Sequence, residues 1–240
     1  MTNTERIITY QYDFRLADGT EKRFTVRLDG RDLGLLQPRR GACPGWTALQ
    51  CRQCANCPLE AEAFPHCPVA VSLVELVEFF RESLSYEEVD VRIETCERKY
   101  SKRTSTQAAL SSLLGIYMVT SGCPVMDKLR PMVRFHLPFA TVEETAYRAV
   151  SMYLMAQYFR YRRRLKPDWT LENLVHLYEE VQTVNQGFMR RLQEIEMHDA
   201  STNALIILDC FASYVMISID EDDLSEFEIL FKPYLEEGNT

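Results

Sequence analysis

Near the start of the chain, apolar and polar residues alternate. Tyr10, Tyr12, Phe14 and Leu16 share one parity, Asp18-Gly19 follows, and Phe24, Val26 and Leu28 resume the alternation. A period of two on both sides of Asp-Gly predicts a β-hairpin over residues 7–28. Val89, Val91 and Ile93, interleaved with Asp90, Arg92 and Glu94, predict a third strand. Elsewhere the period lengthens. Val69, Leu73, Leu76, Val77, Phe80 and Leu84 recur at helical spacing. Residues 105–121 read as an apolar helix, with Gly122 placed to stop it. A short helix after Cys123-Pro124 is expected to kink at Pro131. Thr141-Val142-Glu143-Glu144 is a capping box that opens a helix to about residue 165. Thr170 is placed to cap another, to about residue 196, and Ser201 or Thr202 a third, to about residue 219.

This order predicts an α+β fold, with a small N-terminal antiparallel sheet (the hairpin plus one strand) packed on a mainly helical bundle. The chain reads as a single domain, 1–240. Residues 1–100 carry the sheet, a cysteine-rich loop and the first helix, and residues 101–240 form the helical part. Composition agrees with a globular protein, at 46% hydrophobic and 26% charged residues. The net charge of −8 argues against a generally basic nucleic-acid surface. No basic segment followed by an apolar run opens the chain, so no secretory signal is expected. The apolar run from Ala204 to Ile219 is broken by Asp209, Ser213 and Ser218, and is expected to be too short and too polar to span a bilayer. A cytoplasmic location is therefore expected, where thiols stay reduced.

Residues 30–68 break the periodicity. They are rich in Gly, Pro and Arg, and a long irregular stretch inside a domain usually needs a function or a staple. Cys51, Cys54, Cys57 and Cys67 fit C-x2-C-x2-C-x9-C-P, with Cys43 just upstream. The opening resembles a bacterial ferredoxin segment, but the last spacer is nine residues where that motif has three. Three closely spaced thiols suit an object wider than one ion, such as a 4Fe-4S cluster whose irons each take one cysteine. Zinc sites commonly deliver their four sulfurs as two separated pairs. The spacing thus favours an iron–sulfur cluster over zinc.

A second regularity competes for the ligand set. Cys43, Cys57, Cys67 and Cys123 each precede a proline, although the chain has only ten prolines in 240 residues. Proline at a first helical position puts the preceding cysteine near an N-cap, where free amides and the helix dipole stabilise a thiolate. Cys67 and Cys123 fit this best. Cys54, Cys57 and Cys67 are therefore the first candidates for ligands, and Cys123, Cys51 and Cys43 contend for the fourth place. Cys96 and Cys210 read as ordinary thiols, and His136, set among apolar residues, as a core histidine.

Four stretches carry a resemblance. Cys54-Ala55-Asn56-Cys57-Pro58-Leu59, residues 107–116 (QAALSSLLGI), residues 121–126 (SGCPVM) and residues 134–140 (RFHLPFA) resemble an uncharacterised bacterial family, a domain of unknown function. The likeness runs from the hairpin to about residue 160. It implies no activity, and it favours counting Cys54, Cys57, Cys67 and Cys123 together.

The expected function is that of a cysteine-ligated metal or iron–sulfur protein in electron transfer or redox or metal sensing. One alternative is a structural zinc-stabilised scaffold for protein–protein interaction, and a second is a thiol-dependent enzyme. Nucleotide-binding and hydrolase signatures are missing from the sequence. The basic run Arg160–Lys166, a second basic spot at residues 99–103, and the acidic C-terminus are candidate protein-docking features. The last twenty residues carry seven acids and one lysine, and this tail is a candidate intramolecular partner for either basic run.

Overall fold

The hairpin turns at Gly19, whose φ of +85° lies where only glycine sits without strain. Asp18 accepts from the Thr20 amide and steadies the turn. The computed structural model describes residues 7–36, 43–195, 197–220 and 224–236. Strands β1 (Ile7–Leu16), β2 (Glu21–Asp29), β3 (Glu88–Glu94) and β4 (Lys99–Ser105) form one antiparallel sheet in the order β2-β1-β3-β4. Register puts Tyr12 opposite Phe24 on one side and Ile93 on the other, so the apolar parity of three strands lands on one face.

β4 adds a strand to the three expected. Its sequence, KYSKRTS, shows no alternation because it is a largely exposed edge strand. Lys99 and Arg103 pair with Glu94 and Glu88 of β3, and charge on an edge discourages pairing with other chains.

The apolar sheet face is covered by α1 (Pro68–Phe79) and α2 (Thr106–Thr120). Phe14, Phe24, Phe79 and Phe80 interlock there, with ring centroids 4.8–6.0 Å apart in edge and stacked contacts. α2 is buried on nearly every side, because the sheet covers one flank and α5 (Ala200–Asp220) the other. Gly122, at φ +90°, ends α2 as expected. The segment after Cys123 is a 3-10 helix, Met126–Phe135, with Pro131 inside it. α3 (Val142–Arg162) opens with the expected Thr141–Glu144 capping box.

α4 (Glu172–Leu192) departs from expectation at its start. Asp168, not Thr170, satisfies the first turn. Its carboxylate accepts from the Asn173 amide, while the Thr170 hydroxyl donates to Asp168. α5 begins at Ala200 and is, by length and composition, the one helix among the described residues able to cross a membrane. The helix extends the apolar run expected from Ala204 by four residues at its start. The helix packs against α2, α3 and α4 and buries Ala204, Leu205, Ala212 and Val215, though only 28% of its apolar window is buried.

Short exposed helices α6 (Ser225–Glu228) and α7 (Lys232–Leu235) follow, and Phe227 rests on Tyr147 of α3. Among the described residues no ion pair joins this tail to Arg160–Lys166 or to residues 99–103, so the expected internal pairing is not formed there. Instead Arg160 donates to the Lys166 carbonyl and closes the end of α3.

The sheet is tied to the 3-10 segment by two tyrosines. Tyr10 donates to the Val133 carbonyl (2.6 Å). Tyr12 Oη lies 2.6 Å from His136 Nε2 and 3.0 Å from Ser112 Oγ. Burial first, and Arg148 second, push the His136 pKa down to about 3, so the fold holds a neutral imidazole. An unfolded histidine titrates near 6.5. Stability from this group is complete above that value and is lost as pH falls toward 3, at on the order of 1 kcal/mol per pH unit. The melting temperature should fall more steeply between pH 6.5 and 4.5 for the native chain than for His136→Gln. Parallel profiles would show that His136 is not the titrating group.

Candidate functional site

The cysteine loop has almost no regular structure of its own. Between residues 43 and 67 it forms one 3-10 turn, Gly45–Thr47, and one isolated bridge, Ala48 to His66. The Cys67 amide donates to Thr47 O (2.8 Å) and the Leu49 amide to Pro65 O (2.9 Å), which brings the two ends of the loop together. Thr47 Oγ1 donates to the Pro44 carbonyl and lies 3.0 Å from His66 Nδ1.

The remaining backbone of the loop is held by α4. Arg191 is 1% exposed. Its Nη1 donates to the carbonyls of Trp46 (2.8 Å) and Ala48 (2.6 Å), and its Nη2 to that of Leu49 (3.2 Å). Among the described residues no carboxylate forms an ion pair with it. Farther along the loop, Asn56 donates to the Glu180 carbonyl and Arg52 pairs with Glu194. Gly187 lets the loop come close. A Cβ there would stand 2.7 Å from Cys54 Sγ, closer than real Cβ atoms come, and 3.3 Å from Cys54 Cα, where the neighbour would have to give way.

This docking brings four of the candidate cysteines to one place. Cys54, Cys57, Cys67 and Cys123 line a single cavity of about 20 Å3, closed on one side by Val184, Phe188 and Arg191 of α4. Such a volume exceeds the ~10–15 Å3 needed by one water. Cys51 and Cys43 do not line it. Cys67 is the N-cap residue of α1 with Pro68 at the first position, as the Cys-Pro pattern suggested. Cys123 comes from the far end of α2, just past Gly122, and the amides of Val125 and Met126 point at its sulfur.

Two of the thiols, Cys54 and Cys123, favour their neutral form. Burial, then the neighbouring Cys67, Cys123 and Cys57, push Cys54 up to about 12, while Arg191 opposes the shift. Burial also pushes Cys123 up, against the two amides. Neither has the depressed pKa of a nucleophilic thiol. Among the described residues no group of three or more His, Cys, Asp or Glu side chains is arranged to hold a single metal ion. The four thiols share a cavity without converging on one point as ligands of one ion.

Arg191 and Gly187 escaped the sequence reading, yet both left a trace. Arg191 falls in phase with Val184 and Phe188, a charge on an apolar stripe, and Gly187 interrupts a helix interior, where glycine marks a close approach. His176 lies against Glu179 and His198 against Glu82, both at exposed positions away from the cavity.

Gly187→Ala should force Cys54 and its loop off α4 and cost about 1–3 kcal/mol in urea unfolding. Gly115→Ala is the control. Its Cβ meets only Leu208, at an ordinary 3.7 Å, so it should be neutral or stabilising. Equal effects of the two substitutions would remove the tight contact from the account.

No curated protein and no solved structure matches the chain. A family model does match, over residues 8–232. That span goes well past residue 160, where the likeness seen in the sequence stopped, and so takes in α4 with Gly187 and Arg191. Matched over nearly its whole length, the chain belongs to the family described as a domain of unknown function, DUF6901.

Proposed function

We propose that the chain holds an iron–sulfur cluster of the 4Fe-4S type on Cys54, Cys57, Cys67 and Cys123 and acts in electron transfer or in redox or metal sensing in the cytoplasm. The observation that carries this reading is the shared cavity: three separate stretches of sequence bring four thiols to one small space. The close sequence spacing of Cys54 and Cys57, with Cys67 following, supports a cluster over zinc. A lone zinc needs its sulfurs at about 2.3 Å from one point, and zinc sites commonly supply them as two separated pairs. A cluster spreads its four ligands over four irons.

The charge of the surroundings supports the same reading. A cluster with four thiolates carries net negative charge, and Arg191 supplies a buried positive group with no carboxylate of its own among the described residues. The Val125 and Met126 amides at Cys123 favour its thiolate as well. When bound, the cluster would supply one-electron chemistry. The residues around it do the rest. The four thiols give up their protons on ligation, so loading should improve with rising pH. Val69, Val125, Val184 and Phe188 limit water. All four cysteines keep partial exposure, which leaves the site within reach of a docking partner.

Protein purified without oxygen should show a broad absorption band near ~400 nm and about four irons and four sulfides per chain. Cys54→Ser and Cys123→Ser should each abolish the band and lower thermal stability, while Cys51→Ser and Cys210→Ser should keep both. A colourless protein with one bound zinc would replace this reading with that of a zinc-stabilised scaffold. A colourless, metal-free protein that resists reconstitution with iron and sulfide would reject both.

A further inference from the structure

A second cavity, of about 260 Å3, opens between β4, α2, α3, α5 and the connection that follows the 3-10 segment. It has roughly twenty times the ~10–15 Å3 that one water needs. Most of its wall is apolar, supplied by Ile116 and Val119 of α2, by Leu208 and Phe211 of α5, and by Leu129 and Val133 of the 3-10 segment.

Its polar groups are few and unusual for this chain. Lys102 and Arg148 both line the cavity, and no aspartate or glutamate does. In a protein of net charge −8, this is a positively charged apolar space. Neither cation has an ion-pair partner among the described residues. Lys102 lies over the Phe139 ring, 5.5 Å from its centroid, and is exposed. Arg148 uses Nη2 to donate to the carbonyls of Met132 and Phe135, each at 3.0 Å. Its Nε and Nη1 have no acceptor among the described residues. Ser112 and His136 also face the cavity, but they are engaged with each other and with Tyr12.

An apolar wall with two unpaired cations and no anion fits one class of small molecule. We infer that this cavity binds an amphipathic carboxylate, with Lys102 and the free N–H groups of Arg148 taking the carboxylate and the α2 and α5 walls taking an aliphatic or aromatic body. A charged head gives orientation and an apolar body gives affinity, which is the usual division of labour in small-molecule sites. Bidentate geometry makes a guanidinium a good partner for a carboxylate in a partly dehydrated space. This inference is independent of whether the cysteine cavity holds a cluster.

The probe is octanoate, titrated calorimetrically into the protein as purified, with octanol, octylammonium and acetate as comparisons. Octanoate should bind and raise the melting temperature. Octanol, lacking the charge, should bind at least tenfold more weakly. Octylammonium and acetate should show no binding at the same concentrations. Lys102→Gln, at an exposed position, should weaken octanoate about tenfold and leave octanol unchanged. Ala108→Leu, which fills the cavity from α2, should abolish both. Absence of octanoate binding at millimolar concentration overturns the inference, and so does binding that neither substitution changes. Cluster loss through Cys123→Ser, measured separately by absorption, should leave the octanoate affinity of the remaining folded protein in place.

Discussion

A loop without a hydrogen-bond ladder must still satisfy its carbonyls, and in this protein Arg191 does so. Residues 46, 48 and 49 expose three acceptors in a region that the helices cover, and one buried guanidinium meets all three. Hydrogen bonds from a charged donor contribute roughly 1.5–3 kcal/mol each, and acceptors left unpaired under α4 would cost a similar amount. The loop, the start of α1 and the far end of α2 converge because α4 holds this backbone in place. The thiol cavity is a consequence of that arrangement. Without Arg191, and with a side chain at Gly187, the loop would lose the carbonyl bonds and the close approach that hold Cys54 against α4.

Much of the framework could be read from side-chain periodicity, and the reasons for the exceptions are physical. The hairpin and the strand at Val89–Ile93 each bury one face, and a buried face leaves a period in the sequence, while the helix opened by Thr141 is legible from its capping box. β4 buries little, so nothing alternates in it. The start of α4 is held by Asp168, which sits outside the turn that a capping pattern describes. Of the site, Cys54, Cys57 and Cys67 could be picked out by spacing and by the Cys-Pro pairs, while Cys123, Cys51 and Cys43 contend for the fourth place; the shared cavity takes in Cys123 and leaves out Cys43 and Cys51. The partners from α4 could not be placed, because contacts across some 140 residues of sequence have no local pattern (Arg191 reaching Ala48, for example).

The 3-10 segment Met126–Phe135 stands between the two cavities. Val125, at its start, lines the thiol cavity, while Leu129, Met132 and Val133 line the larger one, and its end is fixed to the sheet through Tyr10 and His136. Pro131 prevents the segment from relaxing into a regular α-helix. The segment and the residue just before it thus supply wall to both spaces.

The order of the chain also dictates when the thiols become protected. Cys54, Cys57 and Cys67 leave the ribosome early and Cys123 later, but the wall that closes over them, from Val184 to Arg191, emerges later still. During translation the sulfurs are bare to oxidants and to stray metal, and the enclosed space exists only once α4 has docked. Any cofactor delivered there must arrive after synthesis of the covering helix or be trapped beneath it as it folds.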